Sequence, residues 1–249
     1  MLTAHRALIL MALVIPGCGP APSADPPMAT DGVMDLSQWD FETQGTVALR
    51  GRWMFRYGEL LGPSALRPGD APTPPMILVP GAWSDVSVNG VRRSSEGFAT
   101  HALRLTLPDR ADDLAIAFGE THSADRVWID GRLVMERGRV SSSREGELQE
   151  VQGRIVTLDG LGGAHTLVVE ISNHFQLEGG PLHTPRLGTR SQLRERAEAD
   201  AHIDFFLIGC LMVIGLFYAA LSLTRSDREI VLFAIMALLM ALRTAIIKW

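Results

Sequence analysis

The side chains with the chemistry to hold a polar ligand are few and scattered: Trp83, His122, Arg126, Asn173 and His174. A saccharide-like molecule is bound by an aromatic face flanked by planar hydrogen-bonding groups, and an indole, a guanidinium, an amide and two imidazoles supply such a set. Each also has a plainer use. Trp83 and Trp128 follow the strand pattern of core or rim residues, while Asn173 and His174 come just after a strong strand, where turn chemistry favours Asn. His174, Glu178 and His183 offer metal-type donors, but their irregular spacing in a Gly-rich stretch matches no common ligand spacing. No metal or other cofactor is expected. Neither a nucleophile elbow, a phosphate loop nor an HExxH pattern occurs, and the nearby Glu145 and Glu147 sit in a charged, Ser-rich segment that reads as solvated loop. The expectation is a binding protein, not an enzyme.

Two apolar runs, residues 203–223 and 230–247, dominate the C-terminal part of the 249-residue chain and inflate its hydrophobic content of 47%. Each has about the length needed to cross a hydrocarbon core of roughly 30 Å as a helix. The net charge of -5, with 23 basic and 28 acidic side chains, argues against a nucleic-acid partner. At the N-terminus His5 and Arg6 precede the apolar stretch 7–15, which is too short to span; residues 1–18 read as an export signal. Cys18, between Ile15-Pro16-Gly17 and Gly19, fits a lipoprotein cleavage site and is a candidate for lipidation, with ordinary cleavage after Ser23 or Ala24 as the alternative. The other cysteine, Cys210, lies in the first apolar run, so no disulfide is expected within the head.

Export places the head outside the bacterial cytoplasmic (inner) membrane, in the periplasm, with the loop 224–229 cytoplasmic. Arg225 and Arg228 in that loop are outnumbered by Arg186, Arg190, Arg194 and Arg196 on the other side, so the charge count alone argues the reverse orientation. Long exported regions translocate largely regardless of charge, and the signal decides.

Residues 19–34, rich in proline and small polar side chains, read as a disordered tether. From 35 to 188 short alternating segments predict an antiparallel all-β sandwich of eight or nine strands, with a jelly roll as the favoured form. Trp53, Phe55 and Tyr57 share one face, as do Leu103, Leu105 and Leu107, and Leu114, Ile116 and Phe118. Asp130-Gly131 marks a two-residue hairpin turn. Val151–Leu158 and His165–Ser172 read as later strands. Thr189 and Gln192 have the spacing of a capping box, so a connecting helix over 189–202 is expected to run into the first apolar run.

Several short motifs in the head carry a resemblance. Leu49-Arg50-Gly51-Arg52-Trp53-Met54-Phe55, Val79-Pro80-Gly81-Ala82-Trp83, Gly97-Phe98-Ala99-Thr100, Arg126-Val127-Trp128-Ile129-Asp130-Gly131, Ile171-Ser172-Asn173-His174 and Leu187-Gly188-Thr189 occur in an order that resembles the bacterial seven-transmembrane receptors with diverse intracellular signalling modules, or 7TM-DISM receptors. The resemblance extends from about Asp35 to the end. It implies a galactose-binding-like jelly-roll sensor, a bundle of about seven membrane helices and a cytoplasmic output such as a cyclase, kinase or phosphatase. By analogy it also implies a carbohydrate-like ligand. This chain carries two apolar runs and no output signature, so the hairpin reads as the first two helices of a larger bundle. Expected partners are a small molecule or saccharide, membrane lipid, and an envelope protein or a second copy. The alternatives to a receptor are a membrane-anchored periplasmic interaction module and a carbohydrate-binding module without signalling output.

Overall fold

The computed structural model describes residues 26–62, 75–88, 90–109, 113–158, 160–225 and 227–248. The export signal, Cys18, residues 19–25 of the tether and Trp249 lie outside the described residues. The strands, in chain order, are β1 (Val33–Asp35), β2 (Val47–Ala48), β3 (Gly51–Tyr57), β4 (Met76–Val79), β5 (Ser87–Val88), β6 (Val91–Arg92), β7 (Gly97–Leu107), β8 (Leu114–Phe118), β9 (Ala124–Ile129), β10 (Arg132–Arg137), β11 (Arg154–Thr157), β12 (Gly163–Asn173) and β13 (Arg186–Thr189). Three α-helices join them: a single turn, α1 (Phe41–Gln44), and the long α2 (Arg190–Ser222) and α3 (Arg228–Lys248).

Two main sheets form the head, and β5 and β6 pair as a separate two-stranded hairpin. The larger has the order β10-β9-β12-β7-β3-β4, with β1 also pairing β7, and the smaller has the order β11-β8-β13-β2. All pairings between strands are antiparallel except β1 with β7. Alternation sends one set of side chains from each sheet into a shared core. Trp53, Phe55, Leu103, Leu105 and Leu107 come from the larger sheet, and Leu114, Ile116, Phe118 and Leu187 from the smaller. Tyr57 packs at the margin of that core. The Asp130-Gly131 hairpin forms between β9 and β10, with φ of 50° and 88° as a two-residue turn of this hand requires.

The strand count exceeds the expected eight or nine, because β1, β2, β5 and β6 span only two or three residues, too few to show a period. The packed head also begins before Asp35. β3 pairs β7 over Ala99–Ala102 and leaves the edge at Arg104–Thr106 open, and β1 fills it. Ala29 N donates to Arg50 O at 2.8 Å, and Ala29 and Met34 are buried, so residues 29–34 belong to the sandwich and not to a tether. β11 is shorter than the expected 151–158 segment, since its flank turns away and Gln152 O accepts from Arg137 Nη1 at 2.8 Å.

α2 starts as the spacing predicts. Thr189 Oγ1 accepts from Gln192 N and the Gln192 side chain accepts from Thr189 N, the reciprocal capping box. The helix continues unbroken for 33 residues, roughly 50 Å. Both α2 and α3 are long and apolar enough to cross a membrane, and they leave Phe206, Phe217, Leu232 and Leu239 exposed. They pack on each other through small residues. A Cβ on Gly215 would meet Leu238 at 2.7 Å, Ala234, Ala237 and Ala241 are buried, and Tyr218 lies 4.6 Å from Phe233.

Gly138 closes the loop after β10 with a φ of 65°, and a Cβ there would collide with the Leu148 carbonyl. Gly138→Ala is expected to lower the unfolding free energy of the full chain in detergent micelles by about 1–3 kcal/mol, read by urea titration.

Candidate functional site

The five sequence-selected residues do not form one site. Trp83 is fully buried beneath the 174–181 loop, stacked on His101 with ring centroids 6.3 Å apart and edge-on to Tyr57 at 5.8 Å. Its indole Nε1 donates to Ser95 O at 3.1 Å. Asn173 reaches the same carbonyl: its Nδ2 donates to Ser95 O at 3.0 Å and also to Gln176 O and Glu178 O, while Oδ1 accepts from Gln176 N. Trp83 and Asn173 are therefore brought together as a buried brace between two loops. Neither presents a free face to a ligand, so the platform expected of Trp83 is core instead. His122 stands exposed in the turn between β8 and β9. His174 is buried elsewhere, 3.2 Å from Ser141 O and 4.0 Å from Glu147. Among the described residues no three metal-type side chains converge.

Arg126 does meet an aromatic ring. On the outer face of the larger sheet its guanidinium lies 5.5 Å from the centre of Trp128 and donates to Glu170 Oε2 at 2.8 Å. Glu170 Oε1 accepts from Gly62 N at 2.7 Å, so a buried carboxylate orients Arg126 and anchors the segment after β3. Sequence reasoning missed Glu170, although it alternates out of phase with the core residues Val169 and Ile171 of its strand.

Four further buried polar side chains were also invisible in the sequence. Arg137 forms an ion pair with Asp125, both side chains nearly inaccessible, and donates to Gly119 O and Gln152 O. Glu147, expected in a solvated loop, has an inaccessible side chain whose oxygens accept no hydrogen bond among the described residues. His101 lies in the core between Phe55 and Trp83, and burial pushes its pKa down to about 4, only partly offset by the contact with Val169 O at 3.3 Å.

A half-open cleft of about 700 Å³ lies between the smaller sheet and α2. The head contributes Glu120, Arg154, His183 and Arg186, and the helix contributes Arg196 and Asp200, with Phe205 and Ile208 as apolar lining. Burial lowers the Arg186 pKa most, with Arg196 and Arg50 acting in the same direction and Asp200 opposing them. Arg196, Asp200, Phe205 and Ile208 line the same cleft as Arg186 and Glu120, so α2 returns alongside β13 instead of leading away from it. Clustered guanidinium and carboxylate groups give the cleft donors and acceptors for a polar, hydroxyl-rich ligand.

No family model matches the chain, and no curated protein matches it in sequence. Among solved structures, the chain is similar to a β-glucuronidase from Faecalibacterium prausnitzii at 19% identity and a TM-score of 0.41, covering 53% of this chain and 21% of that one. A β-glucuronidase from Ruminococcus gnavus in complex with uronic deoxynojirimycin gives 16% and 0.44, covering 57% and 28%. A glycosyl hydrolase family 2 member from Bacteroides cellulosilyticus gives 12% and 0.44, covering 57% and 20%. The chain thus spans less than a third of the length of each.

Replacing Arg137 by Met strands the Asp125 carboxylate in the interior, and unfolding titrations should show a loss of about 3–5 kcal/mol. For His101 the sign follows from linkage. The unfolded chain takes up a proton near pH 6.5 and the folded chain only near 4, so stability falls as pH drops through that window. The full loss is on the order of 3 kcal/mol. His101→Phe should flatten the wild-type slope of unfolding free energy between those pH values; equal slopes would refute the assignment.

Proposed function

We propose that the chain is the membrane-anchored, extracytoplasmic sensor portion of a bacterial signalling receptor of the 7TM-DISM type. Its sandwich is read as a galactose-binding-like jelly roll that takes a small carbohydrate-like ligand and relays binding through the membrane helices. The observation that carries this reading is the cleft walled by both the head and α2. A ligand shifts a conformational equilibrium only through contacts that differ between two states. A molecule held between Arg154 and Arg186 on the sheet and Arg196 and Asp200 on the helix has such contacts by construction. The route onward is direct, because Thr189 is at once the last residue of β13 and the N-cap of α2. The ordered motifs of the head supply the family, and the guanidinium and carboxylate lining suits hydroxyl-rich molecules.

The test is a thermal-shift screen of the full chain in micelles against neutral and acidic saccharides. A cleft-bound saccharide at a hundredfold excess over its Kd should stabilise the chain by about 2.7 kcal/mol. Arg186→Ala should abolish the shift, while Arg52→Ala on the exposed outer side of β3 should leave it intact. A panel in which no saccharide moves the transition removes the carbohydrate reading.

A further inference from the structure

The direction of α2 fixes which end of the head approaches the membrane. β13 runs from Arg186 to Thr189, and α2 then turns back along the same sheet, so that Arg196 and Asp200 line one cleft with Arg186. Further along the helix, Phe205 and Ile208 line the same cleft as Gly119, Glu120 and His183. The charged part of α2, Arg190 to Asp204, covers roughly 21 Å along its axis. β12 descends over eleven residues, roughly 33 Å, to end at Asn173. In aligned sandwiches the two sheets run within about 30° of each other. The end of the head bearing the 119–123, 138–153 and 174–185 loops therefore reaches at least the level at which α2 becomes wholly apolar.

Those loops expose what a lipid surface takes up. Leu177 is 94% exposed at the tip of its loop, and Leu148, Phe175 and Leu182 are exposed by 55%, 48% and 38%. The Arg144 guanidinium lies 4.6 Å from the centre of the Phe175 ring, pairing a cation with an apolar side chain as interfacial segments do. The opposite end of the sandwich differs. There the segments 36–46, 108–109, 130–131 and 160–162 expose no large hydrophobic side chain among the described residues. Elsewhere on the head exposed apolar side chains such as Leu78 and Leu133 stand on strands; those carried on the loops of this one end mark an interaction surface, and their level along α2 selects lipid as the partner.

We infer that the loop end carrying Leu148, Phe175, Leu177 and Leu182 is seated in the headgroup layer of the membrane that α2 enters, so that the head leans on the bilayer beside its own helix. This rests on the reading that α2 and α3 span a membrane. Seating closes the lower mouth of the cleft against lipid and leaves the side between sheet and helix as the entry for a ligand. It also makes head position sensitive to movement of α2 relative to the bilayer surface.

The test uses spin labels on the full chain in vesicles of phosphatidylethanolamine and phosphatidylglycerol, with Cys18 and Cys210 replaced by Ser. Labels are placed at Leu177→Cys, at Glu42→Cys on the opposite end, and at Phe217→Cys within α2. Oxygen reports lipid and a nickel chelate reports water. Seating predicts that the label at 177 is several-fold less accessible to nickel and several-fold more accessible to oxygen than the label at 42. If 217 is in lipid while 177 matches 42, the seat is refuted and the spanning helices stand. If 177 is shielded from both relaxants, protein and not lipid covers it, and the inference fails. A label at 217 open to nickel overturns the membrane reading and the seat with it.

Discussion

The constraint on which the rest depends is the way α2 is fastened where it begins. Gln192 binds in two directions: its side-chain oxygen accepts from Thr189 N at 3.2 Å, and its Nε2 donates to Phe41 O at 2.7 Å. One side chain thus ties the first turn of the helix to the last residue of β13 and to α1. Leu193, one position on, is buried against the head. With no linker between strand and helix, the exit direction is set by hydrogen-bond geometry and not by a flexible connection. Because that direction is a return along the smaller sheet, the helix becomes a wall of the head. Both the cleft and the end of the head that lies level with the apolar part of α2 follow from it.

Polar burial is distributed unevenly through the sandwich. The core between the sheets is almost wholly apolar, with His101 the exception. At the loop end, by contrast, Arg137 holds Asp125 and two backbone carbonyls, Asn173 holds three carbonyls and an amide, and Glu170 holds Gly62 N and Arg126. Long loops carry backbone groups that no ladder satisfies, and buried side chains must pair them. The loop end is therefore held by specific hydrogen bonds more than by packing alone. It is a firm base on which exposed leucines can project without loosening the fold.

Much of the fold was legible in the sequence, because period and punctuation are local. The faces of β3, β7 and β8, the Asp130-Gly131 turn and the Thr189–Gln192 cap depend on neighbours within a few positions. What was not legible depends on register. Ala29 to Met34 have the composition of a tether, and only the open edge of β7 orders them. Trp83 and Asn173 look like ligand-facing side chains until Ser95, twelve residues from Trp83 but 78 from Asn173, is brought between them. Glu147 lies in a segment that reads as solvent-exposed, and its burial comes from the hairpin pairing of Arg139 with Leu148 beside His174. The cleft could not be foreseen at all, since it exists only because α2 reverses direction.

α2 is held at two places with different mechanics. Above, the cap and Leu193 bind it to the head; below, Gly215 lets Leu238 of α3 approach closely. Between those grips lie about 22 residues, roughly 33 Å of unbroken helix with no proline. The cleft-lining side chains sit within that span. Under the sensor reading proposed above, a molecule wedged between sheet and helix would act on a lever whose lower pivot is the small-residue contact with α3, where a tilt of a few degrees becomes a displacement of about one or two ångströms at the upper end. Glycine and alanine at the pivot favour this response, because small side chains let backbones slide without forcing long rotamers to change. Under the same reading the arrangement works in reverse, since a shift of α3 would tilt α2 and change the width of the cleft, which would link binding to helix position.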